Sequence, residues 1–146
     1  MTDTRQRAVD LFNHVWKLLG LAERTPEQDD EMIHAAHASR YHWGEVGTVA
    51  NLARGEWQIS RVYATLGRGE PALHHANRCL AYCEANPDEL EDWDLPFAYE
   101  ALARAHLAAG NAEEARSLAD RARELGKAVA DPEDRELLEA DLATLP

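Results

Sequence analysis

Apolar residues recur along this chain at spacings of three and four and nowhere alternate at every second position, a pattern that predicts helices throughout and no strand. The clearest stretch runs from Glu56 to Asn86. Ile59, Val62, Tyr63 and Leu66 form one helical stripe, Gly67-Arg68-Gly69 interrupts it, and Ala72, Leu73, Ala76, Cys79 and Leu80 form a second. Pro71 suits the first turn of the second helix, where its missing N–H would have no partner anyway. Neither stripe can be buried alone, so the pair must pack on neighbours of its own kind.

The same reading extends in both directions. A first helix is predicted over residues 5–22, with Ala8, Leu11, Phe12, Val15, Trp16, Leu18 and Leu19 on a broad apolar face. Thr25-Pro26-Glu27-Gln28 carries a capping box and opens a second helix to about Trp43, closed by Gly44 and Gly47, with small side chains at Ala35, Ala36, Ala38 and Ser39. A third helix spans about 48–66 and a fourth 71–86. Asp88 to Asp94 reads as a solvated acidic loop pinned by Trp93. A fifth helix runs from Leu95-Pro96 to Ala109, and Asn111-Ala112-Glu113-Glu114 reads as a capping box for a sixth with Ala115, Leu118, Ala119, Ala122 and Leu125 inside. Asp131-Pro132 starts a seventh that ends near Leu145 and covers the last apolar face. The expectation is an all-α single domain of hairpins at about 5–45, 48–86 and 95–127 with a cap helix at 132–145.

Composition narrows the functional classes. The chain has 146 residues, 45% of them apolar, which suits one globular domain. A formal charge of −12 argues against nonspecific binding to nucleic acid or to an anionic membrane, both of which need a basic footprint. No apolar run is long enough to span a bilayer, and Met1-Thr2-Asp3-Thr4-Arg5 lacks the apolar core of an export signal, so the expected compartment is the cytoplasm. Cys79 and Cys83 are the two cysteines, four apart on one predicted helix, where helical geometry resists a disulfide; they read as small core residues.

Setting Gly67 over Gly110 aligns two hairpins at an offset of 43 residues, with Ser60 over Ala103, Ala72 over Ala115, Ala76 over Ala119 and Cys79 over Ala122. With these small residues and with Tyr63 four positions before the turn glycine, the chain resembles the tetratricopeptide repeat family in its longer-helix variants. His106 takes the place of the aromatic in the second copy, Glu56 and Tyr99 stand where the family carries an early tryptophan, and the closing proline arrives late, as Pro87 and Pro132. The offset exceeds the family's usual 34 residues. The likeness covers about residues 52–132 and extends loosely to 5–45. It implies a right-handed stack of helix pairs whose first helices line a concave face that binds an extended peptide or another protein.

On that reading the candidate partner-binding residues are Arg54, Trp57 and Arg61 on the third helix, Phe97, Glu100 and Arg104 on the fifth, and Arg7, Asp10, His14 and Lys17 on the first. Free arginines beside a tryptophan would suit an acidic peptide or a C-terminal carboxylate, and their replacement would weaken binding while leaving stability alone. The bland alternative is that they pair with Asp10, Glu56 and Glu100. Self-association through the same face is a further possibility. The second helix supplies a different candidate class, a metal-dependent or small-molecule site at Glu31, His34, His37 and His42, because Glu31, His34 and His37 share a face with Tyr41. A single Glu-x-x-His motif is half of what a di-metal bundle requires, and the plainer account has these histidines hydrogen-bonded at a helix interface with Tyr41 and Trp43 in the core. No phosphate-binding loop, nucleophile elbow, zinc-protease motif or calcium loop occurs, and no cofactor is expected.

Overall fold

Start and stop signals in the sequence set most of the helix ends. A computed structural model describes residues 3–146, and among these it contains seven α-helices and no strand: α1 (Thr4–Leu19), α2 (Pro26–Val46), α3 (Val49–Thr65), α4 (Gly69–Ala85), α5 (Asp94–Ala108), α6 (Ala112–Gly126) and α7 (Pro132–Leu142). Met1 and Thr2, the first residues of the stretch read as lacking an export signal, lie outside the described residues. Asp3 caps α1 by accepting from the Gln6 N–H at 2.7 Å. The Thr25 box is complete, with Gln28 N–H on Thr25 Oγ1 at 3.2 Å and Thr25 N–H on Gln28 Oε1 at 2.9 Å.

One expected helix end and one expected cap are corrected. Gly44 does not end α2, which continues to Val46 and stops at Gly47; the missing side chain at Gly44 leaves room for Arg40, whose Nη1 would lie 3.2 Å from an added Cβ. Asn111 makes no capping bond to α6. The turn that ends α5 puts the Asn111 N–H on His106 O at 2.8 Å, and this folds its amide back to 3.2 Å from His106 Nδ1.

The glycine correspondence is geometrical as well as sequential. Gly67 and Gly110 both adopt positive φ, +73° and +85°. Each closes a helix with the same pair of bonds: Arg68 N–H to Tyr63 O (2.9 Å) with Gly67 N–H to Ala64 O (3.1 Å), and Asn111 N–H to His106 O (2.8 Å) with Gly110 N–H to Leu107 O (3.1 Å). The small residues aligned by the 43-residue offset, Ser60 with Ala103, Ala72 with Ala115, Ala76 with Ala119 and Cys79 with Ala122, are all buried. Their size lets α3 approach α4, and α5 approach α6, backbone to backbone, and Ser60 satisfies its hydroxyl on Ala72 O at 2.9 Å.

The extensive contacts are between α1 and α2, α3 and α4, and α5 and α6, giving three hairpins; α2 also touches α3, α4 touches α5, and α1, α3, α5 and α7 meet in succession. Val15, Met32, Ile59 and Val62 fill the junction of the first two hairpins. Ala72, Ala76, Leu102 and Ala105 fill the next, and Leu138, Leu142 and Leu145 close the C-terminal end against Ala119 and Ala122. Each large side chain so buried contributes about 1.5–3 kcal/mol. Trp43 is in the core as expected, but Tyr41 is not: it is 69% exposed, because two positions of helix turn it about 200° away from the face that carries Trp43. Within the described residues no helix is long and apolar enough to cross a membrane.

Candidate functional site

The first helices of the three hairpins, with α7, surround a half-open cavity of about 290 Å³. Ala53 and Cys79, both buried, lie at its floor, and five rings wall it: Phe12, Trp16, Trp57, Phe97 and Trp93. The rings form a continuous chain. Phe12 meets Trp16 edge-on at 6.3 Å, Trp16 tilts against Trp57 at 5.3 Å, Trp57 meets Phe97 at 6.0 Å, and Phe97 meets Trp93 at 6.2 Å. The hydrogen bond from Gln58 Nε2 to Phe12 O, 2.9 Å, ties α3 to α1 at this point. The Cys79 thiol lies in the same apolar setting: its hydrogen bond to Cys83 and its burial push its pKa well up, so it remains neutral.

The arginines meet carboxylates of the chain itself. Arg54 grips Asp94 with two bonds, Nε to Oδ1 at 3.0 Å and Nη2 to Oδ2 at 2.8 Å, and lies 4.4 Å from the Trp93 ring centre. The hydrogen bond to Asp94 raises the pKa of Arg54 further. Glu100 has no exposed surface and accepts from Arg104 Nε at 2.8 Å and from Arg61 Nη2 at 3.2 Å. Arg61 also reaches Asp141 on α7 at 3.0 Å, and Arg104 Nη2 donates to Asp141 O (3.0 Å) and Thr144 Oγ1 (2.7 Å). Burial works against the charge of Arg61, but Glu100 and Asp141 more than offset it and hold its pKa above the ordinary arginine value.

Of the expected partner-binding residues, then, Arg54 and Trp57 line the cavity, while Arg61, Glu100 and Arg104 form a buried ion cluster between α3, α5 and α7. The expectation that Arg54, Arg61 and Arg104 stand free is corrected, and Glu100 is the partner that the plainer account named. His14 turns toward α2, with Nε2 2.6 Å from Glu31 Oε2, and Lys17 is exposed outside the cavity lining. From α1 the cavity takes Phe12 and Trp16, one flank of the apolar stripe. The width of that stripe was the available signal, since seven apolar positions exceed what one partner helix covers. Trp93, Asp134 and Leu137 enter from elements that spacing on the odd-numbered helices does not reach.

The histidines of α2 do not converge. Glu31 is held by His14, His42 Nδ1 lies 3.1 Å from Glu45, and His34 is exposed. His37 alone enters an interface: its Nε2 is 2.8 Å from Tyr63 Oη, and its ring lies 5.3 Å from that of His75. His75 Nδ1 in turn contacts Glu56 Oε2 at 3.0 Å, and Arg40 approaches the other oxygen at 3.9 Å. Burial, then the neighbouring His75, lower the pKa of His37. For Glu56 burial pushes upward, but its bond to His75 and the charges of His75, Arg40 and Arg78 leave the pKa below the usual carboxylate value. Among the described residues no three His, Cys, Asp or Glu side chains are grouped as metal ligands would be.

Compared with protein-family models, curated proteins and solved structures, the chain finds no match. The reading of its function therefore rests on its own residues.

Proposed function

We propose that this is a helical-repeat binding module, stacked in the manner of tetratricopeptide repeats, that holds a segment of a partner protein in the cavity between α1, α3 and α5 and works in the cytoplasm. The single observation that carries the reading is the ring-lined cavity itself. Five aromatic side chains converge from three hairpins on a half-open space that the chain leaves unfilled. Large aromatic side chains around a pocket are the usual anchors of peptide and protein recognition. The matched glycine turns and buried small residues of the second and third hairpins support the repeat. The contacts that run from α1 to α3 to α5 support a common face on their first helices.

Panning a random peptide library displayed on phage against the full chain tests the proposal. The expected result is enrichment of peptides whose binding is lost in Trp16→Ala and in Phe97→Ala, two ring variants that probe the cavity from different helices. Enriched peptides that bind both variants as well as the unaltered chain, or no enrichment at all, would overturn it.

A further inference from the structure

Arginine is the residue that first suggests an acidic ligand here, yet the ionic balance of the cavity points the other way. Two charged side chains at its edge, Arg54 and Asp94, cancel each other through a two-bond pair. The third, Asp134 on α7, also lines the cavity, and its carboxylate has no basic partner among the described residues. It stands in the first turn of α7, where the helix end favours a negative charge, and Asp131 rather than Asp134 supplies the capping bonds. The charges of Arg61 and Arg104 are likewise balanced by Glu100 and Asp141. What remains is an apolar floor at Ala53 and Cys79, aromatic walls, and a mouth with a carboxylate that meets no basic side chain, next to Leu137, which is 62% exposed. The chain as a whole carries −12, so its field also draws cations toward that mouth.

We infer that the cavity takes an aromatic or branched aliphatic side chain from a basic peptide segment, with a lysine or arginine of that segment paired to Asp134. The apolar side chain goes down against Ala53 and Cys79, since a charge there would lose its water without gaining a partner. The cation stays at the mouth, where Asp134 is half-buried and the aromatic faces add a favourable field. The inference rests on the proposed binding role and reverses the ligand charge that the arginines imply when they are read from sequence alone.

Calorimetric titration of the full chain with two synthetic pentapeptides tests it, acetyl-Lys-Lys-Phe-Leu-Lys-amide and acetyl-Glu-Glu-Phe-Leu-Glu-amide, with acetyl-Lys-Lys-Ala-Ala-Lys-amide as the control for charge alone. The basic Phe-Leu peptide is expected to bind, and the acidic and alanine peptides to bind at least tenfold more weakly. Asp134→Asn is expected to weaken the basic peptide about threefold to tenfold, and Asp134→Lys to bring the acidic peptide up to or past it. Asp134 is half-buried and holds no side-chain hydrogen bond among the described residues, and a circular dichroism melt verifies that each variant folds. Equal binding of all three peptides, preference for the acidic one by the unaltered chain, no binding of any, or indifference to Asp134 would overturn the inference. So would a concentration-dependent mass showing a second copy of the chain seated in the cavity. Library peptides that need Trp16 and Phe97 but are acidic would leave the binding role standing while this inference falls.

Discussion

Arg61 on α3 donates to Asp141 on α7 across a separation of eighty residues, at 3.0 Å. The same guanidinium serves Glu100 on α5. Three helices distant in sequence are thereby locked to one charge cluster, whose guanidinium groups are occupied by carboxylates of the chain itself.

Replacing Arg61 should therefore lower stability, against the sequence-based expectation that it would leave stability unchanged. Removing one member of a buried ion pair typically costs about 3–5 kcal/mol, because a charge stays behind without its partner. Arg104 still neutralises Glu100 in Arg61→Ala, so the lower end of that range, about 3 kcal/mol, is expected. Chemical denaturation of the variant checks it. A loss under 1 kcal/mol would show that the cluster is not a structural unit.

The Arg54 and Asp94 pair should behave asymmetrically. The Asp94 side chain is 4% exposed while that of Arg54 is 32% exposed. Arg54→Ala strands a buried carboxylate with only the Glu91 N–H, 2.9 Å away, to meet it. Asp94→Asn leaves a guanidinium that can reach water and keeps its place on Trp93. Arg54→Ala is expected to cost about 2–3 kcal/mol and Asp94→Asn roughly half as much, following the penalty for an unpaired buried group. Melting curves of the two variants settle the order, and a larger loss in Asp94→Asn would refute the account.

Acid should weaken the fold in two stages. The pKa of His37 lies below its ordinary 6.5 in the folded chain, so the unfolded chain takes up that proton first and stability falls as pH drops below about 6.5. The pKa of Glu56 is also depressed, below 4.5, so its contribution is complete above that pH and is lost as pH falls further. Thermal melts between pH 7.5 and 4 should decline from about pH 6.5 downward, and His37→Gln should flatten the upper part of that decline alone. A melting temperature that rises on acidification through pH 6 would contradict the sign.

Two glycines of one turn predict different losses. Gly67 has φ +73° but open space around it, so Gly67→Ala pays only the left-handed backbone, about 1 kcal/mol. Gly69 has a different constraint: an added Cβ would lie 2.5 Å from Ala109 Cα, which is backbone and cannot turn aside. Gly69→Ala should cost about 2–3 kcal/mol as the start of α4 is forced off the end of α5. Urea midpoints of the two variants compare them directly, and a larger effect at Gly67 would mean that α4 and α5 are not in the contact described.

Helix ends were readable where the signal is local. Pro26 with Thr25, Gly67, Gly110, and Asp131 with Pro132 each settle a backbone conformation within a few residues, and the structure places ends at all of them. The aligned small residues were readable for a similar reason, since a repeated gap in side-chain size marks a repeated close approach. Asn111 shows the limit: its side chain had two neighbours to choose from, and the turn geometry behind it decided. The ion cluster shows a larger one. Spacing placed Arg61 on a face of its helix, but it carries no information on which acidic side chains meet it, here Glu100 at a separation of 39 residues and Asp141 at 80. Phe12 and Trp16 read as core because an apolar stripe looks the same whether its flank meets another helix or borders an open space.

The chain of rings around the cavity makes the protein its own optical reporter. Three of its four tryptophans, Trp16, Trp57 and Trp93, border that space, while Trp43 lies buried elsewhere, beneath Arg5. Their intrinsic emission is dominated by indoles that a bound guest would touch, with Trp43 as a constant background. Quenching and spectral shift should thus register occupancy directly, in unlabelled protein and in mixtures, before any guest is known by name.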